Sequence, residues 1–227
     1  MKFINRRLLC ILLLVLLSAC QFVPELPSAN QTAVESEQQA DVIAATEPST
    51  PQRLPNPYLQ QRPNVSEETR RTFAQAKRLM EEKNWEAAEI ELQLLIVSQP
   101  QLSGPYLQLA LLYKNTGRAD LAKYNFEQSI KANGNNVYAY NHYALFLREQ
   151  GGFDSAEEVY QQALMVWPDY ASAHLNLGIL YDLYRGQLQQ ALNQYQIYQR
   201  LQDQPDRKVT GWIIDIERRL KRAQAQE

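Results

Sequence analysis

Thiol and imidazole groups are nearly absent from this 227-residue chain. Its two cysteines, Cys10 and Cys20, lie within the first 20 residues, and its two histidines are His142 and His174. No disulfide can form beyond residue 20, so whatever folds there is held by packing alone. Without a nearby cysteine, a second convergent histidine or an HExxH pair, zinc has no ligand set. A phosphate-cradling glycine loop and a G-x-S-x-G elbow are missing as well. Carboxylate pairs such as Glu81–Glu82 and Glu157–Glu158 read as ordinary helix surface. The chain is therefore expected to be non-enzymatic, with no catalytic residue, cofactor or metal. An excess of one charge is also lacking, since 23 basic residues stand against 25 acidic ones. That balance provides no strong electrostatic footprint for nucleic acid.

What the sequence has is a period of 34 residues, clearest in Val137–Tyr170, VYAYNHYALFLREQGGFDSAEEVYQQALMVWPDY. Tyr140, Tyr143, Ala144, Leu147, Gly151, Ala156, Tyr160, Ala163 and Pro168 mark its helix faces, turn and stop. Small residues at 144 and 156 suit a close helix crossing, and Tyr140, Leu147 and Tyr160 fill the space around it. Gly151 suits a left-handed turn, and Pro168 ends the second helix. Asp154 with Glu157 reads as a capping box opening that helix. The template shifts back onto 103–136 and 69–102 and forward onto 171–205. Ala76, Ala110, Ala144 and Gly178 are small at the same position of all four units. In the last unit Ala191 arrives one position late, so one residue is inserted near Tyr184–Arg185 and the turn there should be distorted. This pattern resembles the tetratricopeptide repeat (TPR). The resemblance implies an all-α solenoid of four helical hairpins spanning 66–205. A capping helix, 206–227, has Val209, Trp212, Ile213, Ile216 and Leu220 on one side, and Trp212 is read as packing.

Ahead of the repeats, Lys2, Arg6 and Arg7 precede the apolar run Leu8–Leu17. Such a run is shorter than the roughly 20 apolar residues of a membrane span and suits a secretory signal. Leu17-Ser18-Ala19-Cys20 resembles the lipobox of bacterial lipoproteins. The resemblance implies a signal peptide over 1–19 and a lipid anchor on Cys20, exposed as the mature N-terminus. Gln21 in place of aspartate implies sorting to the outer membrane, facing the periplasm. Removal of the signal peptide leaves 20 basic against 25 acidic residues, a net charge of −5. Residues 20–65 hold seven of the eleven prolines and no helical or strand period, so a disordered tether is expected. As a flexible coil it would reach on the order of 35–40 Å. Its later part, LPNPYLQQRPNV, has two further readings, docking onto the first repeat or acting as a recognition segment.

In TPR arrays the first helix of each hairpin lines a concave groove. The matching positions here include Leu107, Gln108, Leu111 and Lys114, then Tyr138, Asn141, His142, Leu145 and Arg148, then Asn176, Ile179 and Asp182. An apolar stripe (Leu111, Leu145, Ile179) bordered by amides suits an extended or helical peptide, although each stripe residue could equally be core between repeats. His174 replaces an aromatic residue and reads as packing. The resemblance points to lipoproteins that assist envelope machines, such as the pilotins of type IV pili and the TPR lipoprotein of tight-adherence systems. NlpI-like adaptors for peptidoglycan hydrolases and synthases are the alternative, and a structural homo-oligomer is a third. In each case the partner is protein, the membrane is met through Cys20, and nucleic acid is not involved.

Overall fold

The computed structural model describes residues 53–226. The expected signal peptide, Cys20 and most of the expected tether lie outside the described residues. Every described element is helical. A four-residue turn of helix, α1 (Pro57–Gln60), precedes α2 (Glu67–Glu81) and α3 (Trp85–Ser98). Two more hairpins follow, α4 (Ser103–Asn115) with α5 (Ala119–Ala132), and α6 (Val137–Glu149) with α7 (Phe153–Val166). In the last, α8 (Ala171–Ile179) runs on into a π-helical segment, Leu180–Arg185, before α9 (Leu188–Arg200). A final helix, α10 (Arg207–Gln224), packs on α9. Each hairpin leans on the next through its second helix, α3 on α4, α5 on α6 and α7 on α8. This is a solenoid, in which the core is continuous because every unit lends one face to its neighbour.

The 34-residue period becomes a repeated packing rule. Ala76, Ala110 and Ala144 of the first helices and Ala88, Ala122, Ala156 and Ala191 of the second are all fully buried. The side chain beside each crossing is large and buried: Leu92, Phe126, Tyr160 and Tyr195. Backbone geometry repeats as well, for Gly117, Gly151 and Gly186 have φ of +74°, +81° and +65°. The first hairpin places Lys83 at that turn with φ +59°, without the freedom a glycine has there.

Two local expectations meet different outcomes. The extra residue of the fourth unit is accommodated by the π-helical segment, which widens the last turn so that Gly186 still reaches its left-handed position. The capping box does not form. Helix α7 begins at Phe153 with Gly152 as its cap and no side-chain cap bond, so Asp154 is already inside the first turn. Asp154 instead pairs with Arg185, and Glu157 accepts a hydrogen bond from the Tyr181 hydroxyl at 2.9 Å. The turn at Gly151 puts Gly152, which has no side chain, at the cap position, whereas the matching Asn84 of the first hairpin caps α3 by accepting from Ala87 N–H.

That Tyr181–Glu157 bond has a twin. Tyr113 donates to Glu89 at 2.8 Å, and both pairs span 24 residues. Arg118 joins Glu89 at 2.8 Å as Arg185 joins Glu157 at 3.5 Å, so the same latch closes the first and third junctions between hairpins.

Part of the expected tether is placed against the repeats. Residues 53–61 lie against the hairpins, with Asn56 buried, and only then does the chain reach α2 at its Ser66 cap. The contacts reach well past the first repeat, the expected docking place.

Candidate functional site: the concave groove and its rim

The first helices set the groove. Toward their C-terminal ends, Lys114 of α4 pairs with Glu149 of α6 at 2.8 Å, joining adjacent repeats. Deeper in, Asn176 Nδ2 of α8 donates to Asn141 Oδ1 of α6 at 3.0 Å, and Asn141 is buried. Arg148 lies beside this amide pair, its Nη1 3.5 Å from the Asn176 carbonyl oxygen and its guanidinium 5.5 Å from the Tyr184 ring centre. Its Nε is buried and has no hydrogen-bond partner. His142, half-buried, is held below the usual imidazole range by burial and by the nearby Lys114 ammonium. Gln108 and Leu145 are half-buried and complete this wall.

Other expected groove residues are committed elsewhere. Leu107 is buried core, and Leu111 and Ile179 are half-buried against the core between repeats. Asp182 is covered by α10, whose Arg219 reaches it at 2.8 Å. His174 is buried, with Nδ1 2.7 Å from Gln194 Oε1 and Nε2 2.8 Å from the Pro168 carbonyl oxygen, so it packs as expected. Trp212 packs on Tyr195 at 5.3 Å. Among the described residues no three His, Cys, Asp or Glu side chains gather to hold a metal.

Tyr138 opens a second feature. The starts of α4, α6 and α8 form the upper rim of the groove, and residues 53–61 run along it. Trp167 stacks on Tyr170 at 5.2 Å, Tyr170 meets Tyr138 edge-on at 6.0 Å, and Tyr138 meets Tyr58 edge-on at 5.9 Å. The fourth ring of this ladder belongs to the rim segment itself. Burial pushes the Tyr170 phenol well above its ordinary range. An apolar cavity of about 530 Å³ lies beside the segment, lined by Tyr58, Leu59, Phe73, Leu95, Leu102 and Pro105 among others. The sequence offered one signal for the rim, the tyrosines at 138 and 170 at opposite ends of the third repeat. It offered none for Trp167 and Asp169, which flank the helix-ending Pro168.

Comparison with known proteins bears on the hairpins directly. A tetratricopeptide-repeat model matches residues 104–136, and a TPR-repeat model matches 144–183. The chain carries tetratricopeptide repeats. Solved TPR-like folds superpose on it. PilF of Pseudomonas aeruginosa does so with a TM-score of 0.61 at 19% identity, over 69% of this chain and 70% of that one. MamA (41-end) of Desulfovibrio magneticus RS-1 gives 0.57 at 19% identity, over 70% and 88%. YrrB, described as a TPR protein with an unusual peptide-binding site, gives 0.51 at 17%, over 61% and 70%. At these identities the likeness is one of fold. A TPR fold supports a scaffold that binds protein in its groove, and the groove of this TPR array is narrower in open residues than its pattern implied.

Proposed function

We propose that this chain is a lipid-anchored periplasmic TPR scaffold, without catalytic activity, that holds a partner protein's peptide in its concave groove and assists assembly of an envelope machine such as a type IV or tight-adherence pilus. The observation that carries the groove reading is Arg148. A half-buried guanidinium with an unpaired, buried Nε is costly to leave unsatisfied, and it sits beside the Asn141–Asn176 amides. A carboxylate or backbone carbonyl from a partner peptide supplies the missing acceptor once the guanidinium turns out toward the groove, since its Nε is otherwise closed to solvent. Gln108, His142 and Leu145 then supply polar and apolar contact around it. The lipobox resemblance at Cys20 supports the anchor, and Gln21 in place of aspartate supports the outer-membrane location. The fold shared with PilF, and YrrB's description as having a peptide-binding site, support the kind of task.

In-cell photo-crosslinking from position 148, with the exposed Glu158 as control, tests this reading. A secretin or pilus component captured from 148 alone is the expected outcome. Peptidoglycan enzymes captured there would transfer the assignment to an adaptor. Capture of the same proteins from both positions, or of none, would remove the groove as the working surface.

A further inference from the structure

The rim segment is held in the way a ligand is held. Leu54, half-exposed in its side chain, has both its backbone groups taken by side chains of the array. Its N–H donates to Asp169 Oδ2 at 2.5 Å, and its carbonyl oxygen accepts from Trp167 Nε1 at 2.8 Å. Side chains that read a main chain in this fashion recognise an extended peptide regardless of what Leu54 carries. Specificity comes two residues later. Asn56 is buried, its Nδ2 donating to the Tyr138 hydroxyl at 3.1 Å while its Oδ1 accepts from Tyr58 N–H at 2.9 Å. Pro55 and Pro57 fix the chain on either side, so little conformational freedom is lost on docking. Tyr58 then closes the aromatic ladder, and the Ser103 hydroxyl lies 3.3 Å from its phenol. Beyond it, Asn135 Nδ2 donates to Gln61 Oε1 at 2.8 Å.

We propose that the rim built by Ser103, Tyr138, Trp167, Asp169 and Tyr170 is a second peptide-recognition site. It takes a Pro-Asn-Pro-aromatic segment that is extended up to the asparagine and turns into a short helix capped by it, and this chain's own residues 53–61 fill it as a built-in, displaceable occupant. The site is separate from Arg148, since Tyr138 and Arg148 are ten positions apart on α6, a distance of about 15 Å along a helix. It does not depend on the groove reading. Displacement is feasible because few of the contacts are buried; the Arg53–Asp203 pair, for example, is exposed on both sides. A tethered segment nevertheless competes at an effective concentration near the millimolar range, so an incoming peptide must match it in kind.

The test uses the full chain with residues 53–61 replaced by nine glycines and serines, and a fluorescent peptide spanning Pro51–Arg62 as probe. Saturable anisotropy binding is expected, weaker by about tenfold or more when the unaltered chain is used. Asn56→Ala in the peptide, or Tyr138→Ala in the chain, should each cost at least about tenfold, as loss of a buried hydrogen-bond partner does. Arg148→Ala should leave this binding unchanged. If the replaced chain keeps its helical signal and does not bind, or binds the Asn56→Ala peptide equally well, the proposal is overturned. A second measurement covers the case in which the replacement unfolds the chain. In the intact chain, trypsin should cut the Arg53–Leu54 bond slowly, and Asn56→Ala should speed that cut about tenfold. An equal rate in both would sink the idea of a seated occupant.

Discussion

Gly178 stands where the three preceding repeats carry alanine, and the template alone treats the two residues as equivalent. They are not equivalent here. A β-carbon at 178 would come within 2.6 Å of two Tyr195 ring atoms, and Tyr195 is itself buried. Gly178→Ala should therefore destabilise the chain by about 1–3 kcal/mol, the usual cost of overpacking, as read from denaturant midpoints. A neutral effect would mean that Tyr195 has room to turn. Lys83 is the opposite case, a side chain in the left-handed turn that the other repeats assign to glycine. Lys83→Gly should raise stability by about 0.5–1 kcal/mol, because relief of the left-handed penalty exceeds the added entropy of the unfolded chain. A lower melting temperature would contradict this. His142 gives a pH signature. Its proton is held less readily in the folded state than the ordinary value of 6.5. Above that value neither state is charged; as pH falls through it, the unfolded chain takes the proton first and stability is lost. His142→Gln should flatten the loss between about pH 7.5 and 5.5, and an unchanged slope would mean the ring is not desolvated. The small positions and the turn glycines were legible as a 34-residue recurrence. The contact that forbids a methyl group at 178 was not, because it depends on how Tyr195 leans once the chain is packed.

Elements were legible wherever their signal is periodic. The single-residue insertion was visible from the late arrival of Ala191, yet its form as a π-helical segment depends on Gly186 keeping its place in the turn. The capping box failed for a related reason: spacing alone does not show where a tight turn releases the chain into the next helix. Helix α10 was read correctly from its apolar side, and its role is to close the open end of the array. Its own Val209 and Ile216 are fully buried, while its Arg219 ties it to Asp182 of the π-helical segment. Ile216→Ala should cost about 2–4 kcal/mol in chemical denaturation, and the loss should appear in the fourth repeat before the first. Equal loss along the whole array would mean that α10 is not an end cap but part of one indivisible core.

At the scale of the whole molecule, an array whose units touch only their neighbours loosens locally, each repeat losing protection by itself. The rim segment departs from that rule. Its nine residues touch the start of α4 through Ser103, α6 through Tyr138, the approach to α8 through Trp167 and Asp169, and Asp203 beyond α9. These contacts join positions separated by 45 to 150 residues, which is why no local pattern announced them. A segment this short, stiffened by Pro55 and Pro57, has little means of staying seated at one end once the other is lost. Tyr58→Ala removes the ring that meets Tyr138 and the hydroxyl beside Ser103. Native-state hydrogen exchange should then show lost protection in the first turns of both α4 and α8, although it is Leu54 and not Tyr58 that bonds to Trp167 and Asp169. Helical content should stay the same, since no helix of the array depends on this residue for its own bonds. Loss confined to α4 and α6, the two helices Tyr58 meets, would mean that the segment is a passive strand rather than a link between distant repeats.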